Sequence, residues 1–381
     1  MKALVLSTNN YRSFPSRKQR FARCLVSRGY DVLYVEAPVT FLVAARPHQW
    51  QKLNAWRTGA HGQGDRLWTA SPSPWLPYFK KYERVAERDA LLYYRWLTCL
   101  PGSWTTDLGL ILTYLPFVPR ALQLLGAPVV YDCVDDHSAY PGLIDRATVN
   151  HLEARTADIA SAIVATNETI AAKFPTHQGK LSLIPNGVDH ELFAEPAMAW
   201  LETVNELPSQ HRFLYVGAMR EWFDTQALAA VAQAYPDYQI DCFGDVLPSV
   251  RQDLASHTNV VFRGTLPQTS IAQEAPRYGA ALIPFRDSPL TIGVDPLKFY
   301  EYVSAGLPVV SSPIHALGAF GDEMVRIAST PQEFVSALHD ALAADSLELR
   351  RHRIESSRRF DWSYRISEFD RALDAALHQQ S

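Results

Sequence analysis

Asp295-Pro-Leu-Lys-Phe-Tyr-Glu-Tyr-Val-Ser-Ala-Gly-Leu-Pro-Val-Val-Ser-Ser312 joins a short amphipathic helix to a buried strand through Ala-Gly-Leu-Pro. Pro296 suits a helix start, where its missing N–H would be unpaired anyway; Gly306 suits a left-handed cap, and Pro308 stops the helix before Val309-Val310. Lys298 and Glu301 are three apart, so they share one face near the helix N-terminus. That end of a helix favours anions. A diphosphate fits beside Lys298, with Glu301 accepting hydrogen bonds from two ribose hydroxyls. The alternative is a surface ion pair contributing about 0.2–0.5 kcal/mol.

Outward from this stretch, short β-branched runs alternate with helical patterns. The first series is Leu4–Leu6, Val32–Val35, Leu110–Thr113, Val129–Tyr131, Ala162–Ala165 and Leu181–Ile184. The second is Phe213–Val216, Gln239–Phe243, Val260–Phe262, Ala281–Pro284 and Val309-Val310. Such alternation predicts α/β architecture: two Rossmann-like, doubly wound parallel sheets covered by helices. The expected division is 1–190, 191–360 and a last amphipathic helix in 361–381, with a linker from about Pro185 to His211. No G-x-G-x-x-G follows the first strand and no P-loop is present, which weakens dinucleotide and P-loop readings.

With 381 residues, 47% hydrophobic and 20% charged, the chain can bury two sizeable cores. Cys24, Cys99, Cys133 and Cys242 have no C-x-x-C spacing, so neither a disulfide framework nor a zinc site is implied. Met1–Ser7 reads as a first strand rather than a signal peptide, and no apolar run approaches the ~20 residues of a membrane span. A cytoplasmic protein is expected. Charge is uneven: residues 1–190 hold 21 basic against 15 acidic side chains, and residues 1–110 alone hold 16 against 7. The basic residues are interleaved with Trp50, Trp56, Trp68, Trp75, Trp96 and Trp104, and Tyr78–Leu97 mixes aromatic with cationic residues. This suits peripheral attachment to an anionic membrane surface, or equally a core helix with snorkelling cations. Nucleic acid is not expected, given a pI of 6.3 and no binding motif.

Ligands of open α/β sheets lie beyond the carboxyl ends of the strands. After Phe213–Val216 comes Gly217-Ala-Met-Arg220, where Gly217 permits close backbone approach to a phosphate and Arg220 offers a forked cation. After Val129–Tyr131 come Asp132, Asp135, Asp136 and His137. Asp135 reads either as a general base for an attacking hydroxyl or, with its neighbours, as a helix cap. Asp136 and His137 are acceptor-side candidates.

Glu301-Tyr-Val-Ser-Ala-Gly-Leu-Pro-Val-Val310 resembles the E-A-x-A-x-G-x-P-V-V segment of GT-B glycosyltransferases, especially family GT4, and Pro185-Asn-Gly-Val-Asp189 with Phe193 resembles their interdomain segment. The resemblance implies two domains facing a cleft, a C-terminal helix crossing back to the first, and transfer of a sugar from a nucleotide diphosphate sugar, UDP-sugar foremost. It implies Glu301 on the ribose, Thr265 and Phe285 near the base, and no essential metal or other cofactor. The first Glu of the family's E-x7-E motif is replaced by Gly293, which removes an acidic sugar contact. Leu297-Lys298 and Gly217-Ala-Met219 are locally similar to the inverting xanthan glucuronosyltransferase, which implies Leu297 and Met219 at the nucleotide, Lys298 at its phosphates and Asp135 as base. Ser288–Gly293 is expected as a polar, flexible loop facing the donor sugar. The wider resemblance is to bacterial teichuronic acid and exopolysaccharide transferases, with a glycan or lipid-linked acceptor. A GT-B type epimerase and a degenerate membrane scaffold are the alternatives.

Overall fold

The computed structural model describes residues 1–45, 50–207 and 212–378. The chain divides into two compact units, one formed by Met1–Pro185 together with the chain from Ile366 onward, the other by Asn186–Arg365.

In the first unit, β1 (Lys2–Leu6), β2 (Asp31–Val35), β3 (His61–Gly62), β4 (Leu67–Ala70), β5 (Leu108–Thr113), β6 (Val129–Cys133), β7 (Ala162–Ala165) and β8 (Leu181–Leu183) form one sheet in the order β3-β4-β2-β1-β5-β6-β7-β8. All neighbours are parallel except β3 and β4. Side chains alternate between faces along each strand. Leu4, Leu6, Ile111, Val129 and Tyr131 meet Tyr93, Leu97 and Leu122 on one side, while Ala3, Val5, Leu110, Leu112 and Val130 meet Phe21, Leu25, Phe369 and Leu373 on the other. The last helix, Trp362–His378, supplies Phe369, whose ring stacks on Phe21 at 3.9 Å.

The second unit repeats the plan. Its strands β9 (Arg212–Val216), β10 (Gln239–Phe243), β11 (Val260–Gly264), β12 (Ala280–Ile283), β13 (Val309–Ser311) and β14 (Val325–Ile327) are all parallel, in the order β11-β10-β9-β12-β13-β14. Leu214, Ala281, Ile283 and Val309 pack with Phe193, Phe299 and Val303; Phe213, Ile240, Leu282 and Val310 pack with Leu228, Val231 and Leu338. Both faces of both sheets are therefore covered, as near-continuous hydrophobic strands require.

Some expectations change. Pro296 stands just outside the helix, which runs Leu297–Ser304, and Gly306 takes φ +80° with Leu307 N–H donating to Tyr302 O at 3.0 Å. Most of the expected linker is ordered: His190–Leu201 is a helix packed within the second unit, while residues 208–211 lie outside the described residues. Ser288–Gly293 is a capped helical turn, with Thr291 Oγ1 donating to Arg286 O at 2.6 Å. Of the six tryptophans in the basic stretch, Trp75 and Trp104 are buried and only Trp50 is exposed; Arg46 lies outside the described residues. Tyr93 and Leu97 of the cationic helix Glu83–Cys99 belong to the core. No helix among the described residues is long and apolar enough to cross a membrane.

Candidate active site

In the second unit the carboxyl ends of the strands and the helix Leu297–Ser304 are tied together by polar contacts. Asp295 anchors the start of this helix: its Oδ2 accepts from Asn186 N–H at 2.6 Å and its Oδ1 from the Tyr300 hydroxyl at 2.7 Å, while Asn186 Nδ2 donates to Asp295 O at 2.8 Å. Pro185-Asn-Gly and Asp295-Pro-Leu-Lys thus hold each other. One turn on, Lys298 Nζ lies 2.7 Å from Glu301 Oε2, and Gln268 Nε2 donates to Glu301 Oε1 at 2.8 Å. Glu301 is almost fully buried with both oxygens engaged. Burying a carboxylate is costly unless it is paired in this way. Lys298 keeps about a fifth of its side chain exposed (21%), so its ammonium is reachable from solvent.

Around this pair, the Tyr302 hydroxyl accepts from Val216 N–H at 2.7 Å, fixing the end of β9 against the helix. Gly217 follows, and its carbonyl passes within 2.1 Å of where a Cβ on Gly244 would stand, so the ends of β9 and β10 approach only because Gly244, at φ +132°, has no side chain. Arg220 donates to Asp245 at 2.8 Å from a partly exposed position. Phe285 N–H donates to Ser312 Oγ at 2.9 Å, and Phe285 bridges to Phe223 in the loop after β9. Thr265, just beyond β11, is exposed, and Leu297 is half-buried. Met219, which the resemblance sets against the nucleotide, is fully buried in the core cluster that also holds Phe213, Tyr215 and Phe223.

The first unit separates its three aspartates. Asp132 is fully buried and bidentate to Arg17, at 2.9 and 3.0 Å, and Arg17 also donates to Ile184 O. Asp136 accepts from Ser138 and from Lys173 at 2.8 Å; Lys173, held above the usual lysine range by its carboxylates despite burial, reaches Glu153 at 2.7 Å. Among the described residues Asp135 has one side-chain partner, the Tyr140 hydroxyl at 3.2 Å, and it lines a cavity of about 360 Å³ with Lys18, Lys80, Phe117 and His137. His137 is held neutral: burial, then the charges of Lys80 and Lys18, push its pKa down to about 3. The three aspartates do not converge, and no group of His, Cys, Asp and Glu with metal-binding geometry occurs among the described residues.

No family model matches the chain. Over 253 residues it is 22% identical to the putative teichuronic acid biosynthesis glycosyltransferase TuaH of Bacillus subtilis; the match covers 62% of this chain and spans 64% of that relative's length. Solved structures align over nearly its whole length. HepE from Anabaena, solved with UDP and with UDP-glucose, superposes with a TM-score of 0.64 at 13% identity, covering 98% of this chain and 100% of that one. The UDP-forming α,α-trehalose-phosphate synthase of Burkholderia vietnamiensis gives 0.65 at 12% identity, covering 99% and 97%. The chain has the GT-B glycosyltransferase fold.

Within this GT-B chain, the residues named from sequence fall into distinct environments. Lys298 and Glu301 meet, as their spacing implies; Gly217, Phe285 and Leu297 belong to elements held together around them; Met219 lies in the buried core. Gln268 and Tyr302 were missed. Gln268 stands three residues beyond Thr265 and Tyr302 directly follows Glu301, but only the fold brings their polar ends to Glu301 and to β9. In the first unit Asp136 is paired with Lys173, and Asp135 and His137 share the cavity.

Proposed function

We propose that this chain is a glycosyltransferase that moves a sugar from a UDP-sugar to a hydroxyl of a glycan or lipid-linked acceptor in cell-surface polysaccharide synthesis. The observation that carries the reading is the Lys298–Glu301–Gln268 cluster at the start of the helix Leu297–Ser304. In the reaction the acceptor oxygen bonds to sugar C1, the bond from C1 to the diphosphate oxygen breaks, and the electron pair leaves with UDP. Lys298, Arg220 and the N-terminal end of the helix Leu297–Ser304 stabilise that growing charge, Arg220 after leaving its weak surface partner Asp245. Glu301 holds the ribose hydroxyls, Gly217 gives the diphosphate room, and Thr265, Phe285 and Leu297 border the base. Asp135 takes the acceptor proton, a contribution of roughly 10²–10⁴ in rate. UDP in the HepE structures and the "UDP-forming" name of the trehalose-phosphate synthase favour uridine.

Exposed Phe41, Leu42, Trp50, Tyr78 and Tyr82 in the basic first unit support peripheral attachment to the cytoplasmic face of an anionic membrane. Calorimetric titration with UDP, GDP, ADP and dTDP tests the donor assignment: UDP should bind at least tenfold tighter than the purine diphosphates. Absence of binding by all four nucleotides would contradict it.

A further inference from the structure

The cavity of the first unit lies beyond the carboxyl ends of β1, β2, β5 and β6, and its charges are unbalanced. Two half-buried lysines elsewhere are neutralised directly: Lys173 by Asp136 and Glu153, Lys298 by Glu301. Lys18 and Lys80 are not. Lys18 is 7% exposed, yet among the described residues its ammonium reaches only the amide oxygen of Asn9, at 3.3 Å, and the face of Tyr114, at 5.5 Å. Lys80 Nζ stands 4.7 Å from the centre of the Phe117 ring, 5.6 Å from Phe79 and 5.9 Å from Tyr140, with no carboxylate among the described residues paired to it.

A desolvated cation outside a direct ion pair is costly to keep; burial lowers the pKa of both ammonium groups, that of Lys80 to about 8, and for Lys18 outweighs the opposing pull of Asp135 and Asp132. Asp135 is the single carboxylate among the lining residues and is engaged by Tyr140; His137 is neutral. Two cations therefore face one carboxylate. The volume, about 360 Å³, is at the small end of the ~300–1,000 Å³ range of ligand pockets, and Phe79, Phe117 and Tyr140 give the cavity an aromatic lining beside its charges.

We propose that Lys18 and Lys80 bind an anionic group, a carboxylate or a phosphate, carried by the acceptor sugar whose hydroxyl Asp135 deprotonates. The inference rests on the transferase reading above, and it narrows the acceptor to a charged glycan. The cations act as positioning charges: they hold the anion, and through it the attacking hydroxyl, without touching the reacting atoms.

Titration calorimetry on the full chain tests this with three probes: methyl β-D-glucuronoside, glucose 6-phosphate and methyl β-D-glucoside. Wild type should bind at least one anionic probe roughly tenfold or more tighter than the neutral glucoside, as expected for charge-assisted hydrogen bonds. The stronger of the two anions identifies carboxylate or phosphate. Lys18→Met and Lys80→Met should each abolish the preference, Lys80→Arg should retain part of it, and UDP affinity should stay unchanged in all three, which also reports that they are folded. Equal affinity for charged and neutral probes, or no binding of any, would overturn the proposal. Loss of UDP affinity in the lysine variants would overturn it too, by assigning these cations to the donor. If wild type keeps the anion preference but binds no UDP, the donor assignment fails and the anion site stands.

Discussion

Lys298 and Glu301 in the second unit, and Lys18, Lys80 and Asp135 in the first, are both cation–carboxylate groups beyond the ends of parallel strands, but they are finished differently. The first pair closes on itself at 2.7 Å, with Gln268 taking the remaining carboxylate oxygen. In the other group the two ammonium groups and Asp135 have no ion pair among the described residues, and Asp135 has only a tyrosine hydroxyl. A closed pair keeps its geometry without ligand and, in the function proposed above, exchanges partners for a diphosphate and a ribose. An open set stores unsatisfied charge that a ligand must complete. The contrast matches a site for a nucleotide, whose shape is constant, and one for an acceptor that brings its own charge.

The contrast is sharpest between carboxylates three residues apart. Asp135→Asn should lower turnover by about 10²–10⁴-fold at saturating donor while lowering stability far less than loss of a buried ion pair would, because Asp135 takes only the Tyr140 hydroxyl directly and acts on Lys18 at longer range. Asp132→Asn should do the reverse. It leaves the Arg17 guanidinium buried with half its partner gone, and urea denaturation should show a loss approaching about 3–5 kcal/mol, the range for breaking a buried pair. If the two variants behaved alike, the separation of structural from catalytic aspartates would fail.

The open cavity also predicts an acid sensitivity. His137 is buried among Lys18, Lys80, Lys173 and Asp136 with its pKa lowered from 6.5 to about 3. Its neutral form is favoured on folding, so its contribution is fully present above about pH 6.5 and declines as pH falls toward 3. Relative to pH 8, wild type should lose about 1.4 kcal/mol at pH 5.5 that His137→Asn does not lose, measured by denaturation at both pH values. The smallest effect belongs to the exposed pair Arg220–Asp245: Asp245→Asn should change stability by less than about 1 kcal/mol. A larger loss would mean that Arg220 is held too firmly to turn toward a diphosphate.

Much of this was legible in the sequence where information is local. Continuous apolar runs marked the central strands because both faces of each sheet are covered, and the three-residue spacing of Lys298 and Glu301 predicted that they meet. The marginal strands β3, β4 and β14 escaped. β3 has two residues, and β14 is an edge strand ending on exposed Ile327, so neither carries a periodic signal. The roles of Asp132, Asp135 and Asp136 were not separable either, since Arg17 and Lys173, which neutralise two of them, arrive from segments distant in the chain. Lys18 and Lys80 stood among many cations of a basic stretch that reads as a membrane surface; only the fold turns these two into one cavity.

The central claim is that Glu301 reads the donor ribose, and the most direct measurement compares UDP with 2′,3′-dideoxy-UDP on wild type and on Glu301→Ala. Wild type should prefer UDP by roughly 10–100-fold, the worth of hydrogen bonds to a charged acceptor, and Glu301→Ala should bind the two nucleotides within about twofold of each other. A preference for UDP that survives in Glu301→Ala would contradict the account.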